Sequence, residues 1–306
     1  KASAFIPCAA SIGGVKDLIW YSWNERLVAE RLTRKANNVL LILKQTNDHW
    51  EETFWRLLTN NFGIKVNSSA FQSIAENISI TILARHKNNL LQLEALLFGT
   101  GDLLNDDFTD EYPKQLKNEY SFLKSKYGLR PSHYPLHFLR MRPHNFPIIR
   151  LAQLAKFIHE ANHLFSKLME TDDLKEIQLL LNVDASDYWN AHYRFDNPSR
   201  FKKKKVGTEM ISNIIINTIV PVLFAYGLYK NEEQYKIKAI QWLENTRAEK
   251  NTIIDGFTKN NIINKSAYDS QAFIELKNEY CNHKRCLECS VGIHLLKRNR
   301  FTSSSQ

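Results

Sequence analysis

Apolar residues recur at helical spacing through almost the whole chain, and this period is what most narrows the fold. In VKDLIWYSWNERLVAERLTRKANNVLLILK, residues 15–44, it places Leu18, Trp23, Leu27, Leu32 and Leu40 near one face, while Arg26, Glu30 and Arg34 follow one another at i, i+4 on another. Similar patterns run through HWEETFWRLLTNNFG, NNLLQLEALLFG, IIRLAQLAKFIHEANHLFSKL, TEMISNIIINTIVPVLFAYGLY, EQYKIKAIQWLEN and SAYDSQAFIELKNEY. No series of alternating runs competes with them. The spacing therefore predicts an all-α, multi-helix globular domain over residues 1–300, followed by a flexible tail at 301–306. With 43% hydrophobic content, 306 residues can bury a large core.

The longest apolar run, ISNIIINTIVPVLFAYGLY at residues 211–229, is about as long as a bilayer requires. Asn213, Asn217, Thr218 and Pro221 interrupt it, and their amides and hydroxyl are costly in hydrocarbon. A buried core helix, kinked or stepped at Pro221, is the expected outcome, with no membrane association.

The net charge of +9 is concentrated. Residues 194–205 carry Arg194, Arg200, Lys202, Lys203, Lys204 and Lys205 against Asp196, a balance of +5. Residues 281–306 carry Lys284, Arg285, Lys297, Arg298 and Arg300 against Glu288, a balance of +4. Positive charge gathered in this way favours a polyanionic partner, nucleic acid above all. A solvated lysine-rich loop is the bland alternative.

The glycines of GTG at 99–101 follow a helix, whereas phosphate-loop glycines follow a strand, so Gly99 is expected as a helix C′ cap. Metalloprotease, nucleophile-elbow, P-loop and EF-hand patterns are absent from the sequence, and no catalytic residue can be assigned. In FLRMRPHNFPIIRLAQLA, residues 138–155, Asn145 reads as an N-cap. That places a helix N-terminus beside Arg140, Arg142 and Arg150, an arrangement suited to phosphate or carboxylate. The competing reading pairs these arginines internally with helix carboxylates such as Glu94. In DYWNAHYRFDNPSRF, Tyr188, Trp189, Tyr193 and Phe195 alternate with His192, Arg194 and Arg200. The pattern fits base stacking or, more simply, core packing.

Three of the four cysteines fall within YCNHKRCLECSVG, residues 280–292. So few, so unevenly placed, they make no secreted disulfide framework, which points to a reducing, cytoplasmic setting. Cys281-x4-Cys286-x2-Cys289 puts three soft ligands within reach of one zinc ion or iron–sulfur cluster. The fourth ligand is Cys8, His283 or His294. With Cys8, the two ends of the chain meet at the cysteine cluster.

The segments YDSQAFIELKNEYCNHKRCLECSVGIHLLK, VGTEMISNIIINTIVPVLFAYG, RMRPHNFPIIRLAQLA, LEALLFGTGDLL and IPCAASIGGVKDLIWYSWNERLVAERL together resemble a bacterial family known as domain of unknown function 2851. The resemblance implies cysteines at Cys8, Cys281, Cys286 and Cys289, and so favours Cys8 as fourth ligand. It also implies a further N-terminal region, loosely similar to restriction endonucleases, outside these residues. A lone upstream cysteine with a C-terminal trio is similar in arrangement to helicase–nuclease iron–sulfur proteins, an analogy only. The resulting expectation is a nucleic-acid-binding or processing accessory module with a zinc or [4Fe-4S] site. The alternatives are a metal-free interaction module, or an enzyme that clamps a small anionic substrate with Arg140, Arg142 and Arg150.

Overall fold

The computed structural model describes residues 5–161 and 164–303, residues 299–303 by their backbone alone. Its helices are α1 Asp17–Gln45, α2 Trp50–Phe62, α3 Ile64–Asn77, α4 Ile80–His86, α5 Leu90–Thr100, α6 Glu111–Tyr127, α7 Pro147–Glu160 and α8 Leu164–Glu170. They continue as α9 Leu174–Leu181, α10 Thr208–Ile214, α11 Val220–Lys230, α12 Glu233–Glu244, α13 Thr252–Thr258, α14 Ala267–Glu275 and α15 Ser290–Ser303. Among the described residues a two-stranded hairpin, β1 His192–Arg194 and β2 Asn197–Pro198, is the exception to an all-α fold. Of the expected tail, residues 304–306 lie outside the described residues.

The chain divides into two compact units, a division not drawn from the sequence. One is made of Lys1–Leu40 with Val220–Gln306, the other of Leu41–Ile219. In the first, α1 buries Trp23, Leu27, Leu32 and Ala36. Trp20 meets Phe273 edge-on at 5.9 Å, and Trp23 meets Tyr280 at 5.2 Å. Leu18 departs from the expected stripe and is 77% exposed. It lies at the second position of α1, about 140° around the helix from Trp23. Arg26 and Glu30 do pair, at 2.8 Å. Arg34 turns instead to the buried carboxylate of Glu275 on α14, which Arg31 also reaches at 3.3 Å.

In the second unit, α5 is apolar all round and forms the centre: Leu93, Ala95, Leu96, Leu97 and Phe98 have no exposed surface. Gly99 is not the cap expected of it. The helix continues to Thr100 and ends at Gly101, while a Cβ at Gly99 would stand 2.1 Å from the Tyr120 ring. The glycine is required by close packing rather than by a turn. The run Thr208–Lys230 is long and apolar enough to cross a bilayer, yet 72% of its apolar window is buried inside the fold. Its expected irregularity is a π-turn at Ile215–Ile219, one turn before Pro221. Widening the turn there accommodates the proline ring and its missing N–H. Asn61 Nδ2 donates to Thr218 Oγ1 at 2.9 Å, so this polar group is paired inside the fold.

Glu94 on α5 is fully buried. Tyr112 Oη and Trp189 Nε1 both donate to its Oε2, at 2.7 and 3.1 Å, and no arginine among the described residues reaches it. Loss of water outweighs these donors and pushes the carboxyl up to about 7, so the proton is held on the fold side of the equilibrium. Between pH 4.5 and 7 the native state binds a proton that the unfolded chain has released. Stability contributed by this group therefore falls as pH rises through that window, by about 3 kcal/mol in all. Glu94→Gln is expected to remove this slope: the stability difference between variant and parent, followed by chemical denaturation, should shift toward the variant between pH 4.5 and 7. A pH-independent difference would refute this assignment.

Candidate metal centre and candidate anion site

In the first unit, Cys8, Cys281, Cys286 and Cys289 line one cavity of about 20 Å³, together with Pro7, Tyr280, Arg285 and Gly292. Local structure brings them there. Cys8 sits in a turn anchored by buried Ile6, with the Ser11 amide donating to the Cys8 carbonyl at 3.0 Å. Cys281 ends the π-turn Leu276–Cys281 that prolongs α14. A tight loop follows, in which Lys284 takes a left-handed φ of 54° and the Arg285 amide donates to Tyr280 O at 3.0 Å. Cys289 precedes α15. Gly292 in the first turn of α15 lets the loop approach closely, since a Cβ there would lie 2.3 Å from Cys286 O.

The thiols are free and felt by one another. Burial raises the Cys8 thiol, and the neighbouring Cys289 and Cys286 add to the effect. Burial likewise pushes Cys281 up to about 12, with Cys8 and Cys289 next in effect and Lys277 opposing. Cys289 is also raised by burial, against the pull of the Gly292 and Val291 amides and the Trp23 indole, all directed at its sulfur. Trp23 Nε1 is buried and meets no conventional acceptor, so its contact with Cys289 is too long or bent for a full hydrogen bond. N–H groups aimed at sulfur are what a thiolate ligand requires. Among the described residues, no group of three or more His, Cys, Asp or Glu side chains stands ready to hold a metal ion. The four thiols thus share a cavity without being drawn to ligating distance. His283 is exposed, His294 is half-buried, and neither lines the cavity.

The second unit joins two stretches that the sequence left separate. Pro143–Asn145 forms a 3₁₀ turn, and the N-cap of α7 is Phe146, with no side-chain cap hydrogen bond. Asn145 is displaced from the expected cap, because its Oδ1 accepts from Arg150 Nη2 at 2.6 Å. Arg150 Nη1 donates to Gln153 Oε1 at 2.9 Å, and Gln153 Nε2 donates to Lys204 O and Lys205 O at 3.1 and 2.9 Å. One glutamine therefore fastens the lysine run to the arginine-bearing end of α7. Arg150 is held inside the fold, as the competing reading has it, but by these amides and not by a carboxylate such as Glu94. Arg150 is 6% exposed, its Nε has no partner, and burial alone lowers it to about 10.

The other cations differ in their availability. Arg194 lies over the rings of Phe138 and Phe146, at 5.0 and 5.3 Å. Lys203 reaches Asp184 at 3.7 Å. Lys204 is buried: its ammonium donates to Lys202 O at 2.8 Å and lies 3.9 Å from the Tyr193 ring centroid. Arg140, Arg142, Arg200, Lys202 and Lys205 are exposed, with Arg140 held at a left-handed φ of 59°. The aromatic stretch packs inward. Trp189 is fully buried against Phe98 and Phe195, and Tyr188 stacks on His192 at 4.0 Å. A cavity of about 220 Å³ in this unit is walled by Phe54, Trp55, Leu58, Phe157 and Phe165 and includes none of the arginines.

Sequence reasoning missed Gln153 and Trp23, whose roles depend on contacts far along the chain. Neither carries a motif; a buried-face position beside a cation or a cysteine was their sole signal.

No curated protein and no solved structure matches the chain. A family model described as "Protein of unknown function (DUF2851)" matches residues 1–252, a stretch that contains Cys8 and the whole arginine–lysine site and stops short of the cysteine trio. Since that match takes in most of the sequence, the chain belongs to the DUF2851 family.

Proposed function

We propose that the chain is a cytoplasmic accessory module that binds nucleic acid through its second unit and holds a thiophilic metal in its first. The nucleic-acid reading is supported by the joining of the Arg140–Arg150 stretch to the lysine run through Gln153. Exposed Arg142, Arg200, Lys202 and Lys205 are the side chains suited to phosphate contacts, whereas Lys203 and Lys204 are engaged within the fold. Phosphate contacts of this kind give affinity without sequence preference and a strong dependence on salt. Lys202→Ala/Lys205→Ala is expected to lower the slope of log affinity against log salt by about 2, leaving sequence preference unchanged. Lys204→Ala should instead lower the unfolding midpoint. If the folded chain binds neither single- nor double-stranded DNA or RNA at low salt, the reading gives way to a protein-interaction module.

The metal reading is supported by the four thiols lining one cavity and by the N–H groups directed at Cys289. Donor type fits both zinc and an iron–sulfur cluster. The cavity volume fits a single ion better, so zinc is the preferred occupant. Bound there, it would tie the Cys8 turn to the segment between α14 and α15. Protein purified without oxygen should contain about one equivalent of zinc. Cys8→Ser and Cys289→Ser should each lose most of it and lower the unfolding midpoint. About four irons with visible absorption would assign the cluster instead. Metal-free protein whose stability is indifferent to added zinc would exclude both.

A further inference from the structure

Arg150 poses a physical problem that its own hydrogen bonds do not solve. A guanidinium 6% exposed is expected to face a carboxylate, because burying a full charge without a counter-charge costs several kcal/mol. Its partners here are the neutral amide oxygens of Asn145 and Gln153, and its Nε has none. No ion pair involves it among the described residues. The surroundings make matters worse rather than better. Arg142, Arg150 and Lys202 all bear on the His144 ring, disfavouring its protonated form after the effect of burial, and Glu209 is the acid that opposes them. Arg142, His144 and Lys202 are exposed, so three basic groups stand at the surface near one buried cation. The N-terminus of α7, a helix of 14 residues without a side-chain cap, opens beside them. Gln153 secures both halves of the arrangement, holding the Arg150 guanidinium with one end of its amide and the lysine-run backbone with the other.

We propose that Arg150 underlies a discrete site for one phosphate group, with Arg142, His144 and Lys202 as its rim, and that the preferred ligand is a phosphomonoester dianion. The proposal deepens the nucleic-acid reading and rests on it for the source of that phosphate, a terminal phosphate on a nucleic-acid strand. Charge decides between terminal and internal phosphates. With Arg150 buried beneath exposed Arg142 and Lys202, the dianion of a strand end is favoured over the single charge of a backbone diester. A free small phosphomonoester offers the same chemistry, and the experiment separates the two sources.

Inorganic phosphate and sulfate would be titrated into the whole chain at constant ionic strength, with chloride as control, following the unfolding midpoint. Sulfate keeps its charge across pH 5–8, so its effect is free of ligand titration. Both dianions should raise the midpoint. Arg142→Ala, at an exposed position, should weaken the response about tenfold and leave the unliganded midpoint in place. Arg150→Met should abolish the response, with an unliganded midpoint equal to or above that of the parent, since it removes an uncompensated buried charge. In parallel, oligonucleotides ending in phosphate should bind about tenfold more tightly than the same strands ending in hydroxyl, and Arg150→Met should erase that difference. Absence of any response to phosphate and sulfate overturns the site, even if nucleic acid binds elsewhere. So does an Arg150→Met protein that keeps the full response. Equal binding of both kinds of strand overturns the terminal-phosphate assignment. If the dianions bind and no nucleic acid does, the nucleic-acid reading fails, and the site stands with a free phosphomonoester as its ligand.

Discussion

The carboxylate of Glu275 is the interaction on which the first unit depends. It is 2% exposed and takes Arg31 and Arg34 of α1, so that a helix from the start of the chain is held to one from near its end. Such a buried acid is tolerable because two guanidinium groups and the neighbouring Gln271 network replace water around it. Gln271 Oε1 accepts from Arg31 Nε at 2.5 Å and from Lys35 Nζ at 3.0 Å, extending the tie by another turn. With α1 and α14 fixed in register, Trp23 meets Tyr280, and the turn that follows carries Cys281 toward Cys8. The thiol cavity is thus a product of an ion pair formed elsewhere on the same two helices.

In the second unit the corresponding role belongs to neutral amides. Asn145 and Gln153 hold a buried cation without cancelling its charge. An aspartate or glutamate in either place would neutralise Arg150. Amide partners orient the guanidinium and leave its charge uncancelled.

Much of this was legible in the sequence. Helical periodicity identified the all-α class, because burying one stripe per helix leaves a pattern that no tertiary contact needs to explain. Cysteine spacing marked three of the four cysteines that line the thiol cavity, and Cys8 followed from the ligand count and the family resemblance. The misreadings share a cause. Gly99 was read as a cap because a glycine at a helix end usually is one; the Tyr120 ring that demands it comes from α6. Asn145 was read as an N-cap from its position before the helix, yet its side chain is claimed by Arg150 one turn later. Glu94 is one of the helix carboxylates that could pair with the arginines, whereas Tyr112 and Trp189 reach it in the fold. Local rules name what a residue can do, and packing from distant segments chooses among the options. The lysine run shows the same limit: four consecutive cations look equivalent in sequence, but Lys204 faces inward and Lys203 has an acid beside it.

The first unit is assembled from the two ends of the chain, with 179 intervening residues, Leu41–Ile219, forming the other. On the ribosome this imposes an order. The intervening unit is complete once its last residue emerges, while the opening helix has its apolar face made and its partners not yet synthesised. Closing so long a loop is slow and entropically costly, by an amount that grows only as the logarithm of its length, and prior folding of the inserted unit shortens the span to be closed. Until then Trp20 and Trp23 lack the Phe273 and Tyr280 rings that meet them in the fold, and the apolar face of α1 is open to association with other chains.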